Sequence, residues 1–258
     1  MPVRKVRPGR GLTAALCATV AVVGYMTVSP EEATPPAPPR AAAKNAGSGA
    51  AAPRPAAPAA RPAAPPGLGP ATRTRIPDGT RQVFVVTGET RNTNVSKAVL
   101  YERDGAKRWQ RAGGPWTAHN ALRGWTNDHT VGDLRTPIGV FTLGDAGGLM
   151  PDPGALLPYD QDEQFVSPGT GFLGEPLEGS FDYVVAIDYN RLSGTTPLDK
   201  ERPLGEERGG GVWIHVDHGG PTQGCISLPA DVMRQLLRQL DPAKEPVIVM
   251  GPADEIAR

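Results

Sequence analysis

The chain has 258 residues, and its 27 Lys and Arg are matched by 27 Asp and Glu, for a formal net charge of zero. That balance, with only 5% aromatic residues, offers neither the basic stripe nor the stacking platform that nucleic acid requires, so nucleic acid is excluded as an expected partner. Two cysteines, one of them in an apolar N-terminal stretch, exclude a fold built on internal disulfides.

Arg4, Lys5, Arg7 and Arg10 precede Gly11–Val28, a run without charge, in the layout of an export signal. The run approaches bilayer-spanning length and no clean Ala-x-Ala site follows, so residues 1–29 read as a signal peptide or a retained signal anchor. Positive charge ahead of the segment places the remainder outside: secreted, or anchored by one N-terminal transmembrane segment. Leu16 is too large for the small residue of a lipoprotein signal, and Cys17 reads as apolar filler. Residues 30–76 are mostly Pro and Ala, lack the branched and aromatic residues of a core, and read as an extended tether.

A single domain is expected over 77–251, with 252–258 as a tail. Gln82–Thr87 and Ala98–Glu102 read as strands, Trp109 falls in a third, and Ile138–Leu143 is a fourth. Residues 118–133, with His119 and His129, read as a polar surface loop, and Gly144–Glu178 as a long loop of the kind that carries function or moves. Phe181–Tyr189 is the best central strand. Asp231–Leu240 places Val232, Leu236, Leu237 and Leu240 at helical spacing, with Asp231 in the first turn and Pro242 beyond the end. Val247–Met250 closes the domain, for a mainly β fold: a sandwich or partly open barrel with one helix towards the C-terminus.

The chemistry concentrates in Val212–Pro229. Val212, Ile214 and Val216 alternate with Trp213, His215 and Asp217, so His215 points away from the apolar face. After a Gly/Pro-rich turn the alternation resumes, with Ile226 and Leu228 on the core face and Cys225 and Ser227 on the other. Cys225 is the one cysteine of the exported part and sits after Gly224 in a polar turn, the setting of a reactive thiol rather than a core filler. An imidazole beside a thiol draws off its proton, which makes His215 the candidate base. Amides of Gln223, Gly224 and Cys225 are candidates to receive a developing oxyanion, although Gly224 also reads as an ordinary turn glycine. Trp213, Asp217, His218 and Ser227 are accessory candidates, His218 either as a solvated loop residue or as a second proton carrier. Zinc on His215, His218, Cys225 and Asp217 is disfavoured: histidines three apart on a strand face opposite sides, and a fourth ligand is lacking. No metal or cofactor is expected.

These residues resemble the L,D-transpeptidase catalytic domain, also called YkuD. Ile214-His215 resembles the family's strand histidine, Thr222-Gln223-Gly224-Cys225-Ile226 its Ser/Thr-His-Gly-Cys signature, and Thr136-Pro137-Ile138-Gly139-Val140-Phe141 its upstream Thr-Pro-x-Gly-x-Phe strand. The chain departs from the pattern in three ways: Gln223 stands in place of the signature histidine, the spacing from His215 to Cys225 is short, and Ser227 stands where arginine is common. The resemblance implies acyl transfer on peptidoglycan stem peptides outside the membrane, with Cys225 as nucleophile and His215 as base, and the carbonyl of Val216 or Asp217 orienting the ring. Two alternatives remain at this point: a cysteine L,D-carboxypeptidase that resolves the same thioester with water, and a non-catalytic cell-wall-binding module.

Overall fold

A computed structural model describes residues 64–258. The export segment expected at 1–29 and most of the tether expected at 30–76 lie outside the described residues. Among those described, no helix is long and apolar enough to cross a membrane.

The fold is mainly β, one curled sheet forming a half-barrel. Its strands are β1 (Gln82–Gly88), β2 (Val95–Arg103), β3 (Trp109–His119), β6 (Gly139–Thr142), β7 (Ala146–Gly148), β8 (Tyr159–Gln161), β9 (Val184–Ala186), β10 (Trp213–Val216), β11 (Ile226–Leu228) and β12 (Val247–Pro252). They run across the sheet in the order β6-β12-β1-β2-β3-β11-β10-β9-β7-β8, and β4 (Trp125–Thr126) pairs separately with β5 (Thr136–Pro137).

Strand β1 is apolar on both faces because both faces are covered. Phe84 and Val86 join the main core, while Val83 and Val85 join a second cluster with Val247, Val249, Leu68 and Ile256. The second cluster lengthens the domain beyond the expected 77–251. Helix α1 (Pro70–Arg73) and the C-terminal α3 (Ala253–Ile256) close on one another through hydrogen bonds from the Gly69 amide to the Ile256 carbonyl and from the Ala71 amide to the Arg258 carbonyl. The end of the expected tether and the expected tail are thus part of the folded unit, tied together because Leu68 and Ile256 cover the outer face of β1 and β12.

Helix α2 (Ala230–Gln239) matches the expected helix to within a residue at each end and lays Val232, Met233, Leu236 and Leu237 into the main core. Burying each of these side chains stabilises the fold by roughly 1.5–3 kcal/mol. Asp231 lies in the first turn, where the helix dipole favours a carboxylate.

Two expectations change. Phe181–Tyr189 contributes only the three residues of β9, because its aromatic ends leave the ladder: Phe181 packs edge-on against Trp213 and His215, and the Tyr189 hydroxyl donates to the Arg208 carbonyl. The long loop 144–178 contains β7 and β8, and its Phe165 is buried against Trp213. This loop folds over the face of β10 that carries His215, so the side of the strand expected to be open is covered.

Candidate active site

Strands β10 and β11 run parallel, with Ile214 opposite Ile226 and His215 opposite Ser227. The connection through residues 217–225 is therefore a crossover rather than the simple turn expected from the resumed alternation. It carries the chain back along β10, so Cys225 enters β11 beside the start of β10. There the Trp213 amide donates to Cys225 Sγ at 3.4 Å, and the thiol reaches the Gly211 carbonyl at 3.7 Å. Because side chains alternate along a strand, Cys225, Ser227 and His215 share a face. His215 and Cys225 line one cavity of about 420 Å³.

His215 is buried, with Nδ1 2.8 Å from the Val216 carbonyl. A carbonyl only accepts, so Nδ1 carries the hydrogen and Nε2 the lone pair. Val216, of the two carbonyls considered, is the one that holds the ring. Burial depresses the imidazole to about 4; the Val216 carbonyl and the charge of Asp217 oppose that, and neighbouring His218 adds to it. Burial likewise pushes the Cys225 thiol up to about 11, partly offset by the Trp213 amide. The resting pair is neutral.

The signature turn is held from outside. Thr222 Oγ1 donates to the Cys225 carbonyl at 2.7 Å, the Thr222 amide donates to the Asn120 carbonyl, and the Leu122 amide donates to the Thr222 carbonyl. Ala121, which bridges to Thr222, gives its own amide to Thr136 Oγ1 at 3.0 Å. The two sequence motifs, Thr136–Phe141 and Thr222–Ile226, are thus a single piece of structure. Among the described residues, none of the loop hydrogen bonds engages the amides of Gln223, Gly224 or Cys225. A Cβ at Gly224 would meet the Arg135 carbonyl and the His129 ring at 3.7 Å, ordinary contact distance, so the chain itself does not require glycine there.

The accessory candidates divide. Asp217 accepts from Ser227 Oγ at 2.7 Å and pairs with His119 Nδ1 at 2.8 Å. Burial alone would raise the Asp217 carboxyl, but these two partners hold it below its ordinary value. Asp217 and Ser227 therefore brace the end of β10 rather than line the cavity, and His119 ends β3 rather than sitting in a surface loop. Trp213 is packed between Phe165 and Phe181. His218 is neither solvated nor turned away: its side chain is 5% exposed, and its ring stacks on His215 at 5.9 Å and 11°. The opposite-faces argument fails because β10 ends at Val216 and His218 already belongs to the crossover. Among the described residues, no group of three or more His, Cys, Asp or Glu is placed to hold a metal ion.

Sequence reasoning missed His129, Ser180, Phe181 and Glu175. His129 is buried in the cavity wall with Nδ1 3.1 Å from Asp133 Oδ1, and Ser180 Oγ, also of the wall, is buried without an intramolecular partner. Glu175 meets His218 Nδ1 at 3.1 Å. For Glu175 a signal existed, since it lies in the long loop expected to be functional. His129 had none, because its place depends on how residues 118–133 fold back.

A sequence model described as the L,D-transpeptidase catalytic domain, YkuD, matches residues 78–249, two-thirds of the chain and the whole of the site. No curated protein and no solved structure matches. The strand histidine, the cysteine turn and the upstream Thr-Pro strand all fall inside the matched span, and the chain belongs to the L,D-transpeptidase catalytic domain (YkuD) family.

Proposed function

We propose that the chain is a cysteine acyltransferase that acts outside the cell membrane on peptidoglycan stem peptides, with Cys225 as nucleophile and His215 as base. The observation that carries this reading is the shared cavity, lined by both a thiol and an imidazole whose Nδ1 hydrogen is committed to the Val216 carbonyl. The Cys225 proton passes to His215 Nε2 as sulfur bonds to the donor carbonyl. The carbon–nitrogen bond then breaks, and the leaving D-alanine amine takes that proton. The uncommitted amides of Gln223, Gly224 and Cys225 receive the oxyanion. An amine of a second stem peptide resolves the thioester and regenerates the thiol.

With burial pushing the thiol up to about 11 and the imidazole down to about 4, proton transfer is coupled to attack, when sulfur no longer bears a full charge. The test is intact-mass detection of an acyl adduct from a stem tetrapeptide or a β-lactam. Wild-type protein is expected to gain the adduct and Cys225→Ala none, and an adduct that persists in the alanine variant removes Cys225 from the role.

The depressed basicity of His215 also favours a second reading, a cell-wall-binding module with an inert thiol. Retained sacculus binding with no adduct on wild-type protein selects that reading.

A further inference from the structure

The cavity holds a second basic nitrogen with a charge partner of its own. His218 lines the same wall as His215 and Cys225, and its Nδ1 is taken by Glu175 Oε1 at 3.1 Å. A carboxylate acceptor fixes the hydrogen on Nδ1, so Nε2 is the nitrogen left to meet a ligand.

Glu175 is placed there by its own loop. The Gly171 amide donates to its carbonyl, the Leu173 amide donates to Oε2 at 2.7 Å, and Thr170 bridges to Pro176, making a small turned segment whose Gly171 and Phe172 also line the cavity. Two glycines admit the carboxylate: a Cβ at Gly171 or at Gly220 would lie 2.1 Å from Oε1. Hydrogen bonds from the Glu175 and Leu173 amides, with His218, hold the carboxyl below its ordinary value against the effect of burial, so it stays ionised.

The two imidazoles differ in their partners: His215 gives its Nδ1 hydrogen to a backbone carbonyl, while His218 meets a carboxylate. His215 suits a proton held only in passing, between sulfur and leaving group. An acceptor amine, which must lose a proton as its carbon–nitrogen bond forms, needs a base that can hold one.

We propose that His218, oriented by Glu175, is the general base of the second half-reaction, deprotonating the acceptor that resolves the Cys225 thioester. In that step the acceptor nitrogen bonds to the acyl carbon and its proton goes to His218 Nε2. The carbon–sulfur bond breaks with the electron pair on Sγ, and the proton is returned to sulfur, leaving an amide, a thiol and neutral histidines. This assignment rests on the acyl-transfer reading.

The test separates the half-reactions in the full chain, using a stem tetrapeptide ending in D-alanine as donor and a second tetrapeptide as amine acceptor. In His218→Gln, which keeps a hydrogen-bond donor for Glu175, and in Glu175→Gln, release of D-alanine in the first turnover is expected to fall far less than amide formation. Acyl-enzyme is then expected to accumulate by intact mass while amide product falls about 10²-fold, the usual worth of a general base. Added imidazole is expected to recover product formation in His218→Gly, which loss of a merely structural contact would not allow. Equal loss of both half-reactions, or product formation at the wild-type rate, overturns the assignment of His218 while leaving Cys225 chemistry intact. Wild-type protein that forms no Cys225 adduct overturns the acyl-transfer reading and this one with it. Should either glutamine variant fail to fold, the other decides.

Discussion

A half-buried thiol pushed up to about 11, in one cavity with a buried imidazole lowered to about 4, differs from the preformed thiolate–imidazolium pair of many cysteine enzymes. Both displacements have burial as their largest cause, and around His215 the cover is specific: Phe181 stands edge-on to the ring at 5.4 Å, and His218 stacks on it at 5.9 Å. The consequence is legible in alkylation kinetics. The rate of iodoacetamide reaction at Cys225 is expected to climb with pH without levelling before about pH 10, and to be at least tenfold slower at neutral pH than for a model thiol. A rate that is flat from about pH 6 upward would reveal a preformed ion pair and contradict the neutral resting state. Gln223, at the position of the signature histidine, is exposed where it lines the cavity, and among the described residues no side-chain hydrogen bond involves it.

Strands matter here through what they hold in place. The Thr-Pro strand and the cysteine turn are far apart in sequence, yet Thr136 Oγ1, the Ala121 amide, the Ala121–Thr222 bridge and the Thr222-to-Cys225 contact link them in one line. Replacing Thr136 by valine leaves the buried Ala121 amide without its acceptor, which costs about 1–3 kcal/mol. Thr136→Val is therefore expected to lower the urea midpoint and to slow adduct formation at Cys225, with Thr136→Ser restoring both. A valine variant matching wild type in both measurements would show that the line carries no strain to the turn. The parallel pairing of β10 with β11 acts at the same scale. An antiparallel turn would set Cys225 near the end of β10, whereas the crossover returns it to the start, where the Trp213 amide reaches its sulfur.

For the whole molecule, burying a neutral histidine ties stability to pH. The folded-state value of His215, about 4, lies below its ordinary 6.5, so the unfolded chain binds the proton more readily. The stability this histidine supports is fully present above about pH 6.5 and is lost as pH falls towards 4, a change of about 3 kcal/mol. His215→Gln lacks that component. The stability difference between wild type and variant, from urea unfolding, is expected to move by about 3 kcal/mol in the variant's favour between about pH 7.5 and pH 4. A difference that stays constant over that range would mean the ring is not buried neutral.

Much of this was legible in order of residues alone. Helix α2 follows from the spacing of its leucines, β1 and β12 from unbroken apolar runs, and the shared face of His215 and Cys225 from alternation on either side of a glycine-rich stretch. These are local patterns, set by the period of a helix or strand and by the cost of exposing apolar side chains. What local pattern could not supply was the direction of β11, the burial of His215 under Phe181, the stacking of His218 and the arrival of Glu175 from a loop more than forty residues away. Each depends on which segments meet in space, and such a meeting is decided by the packing of the complete sheet and its loops.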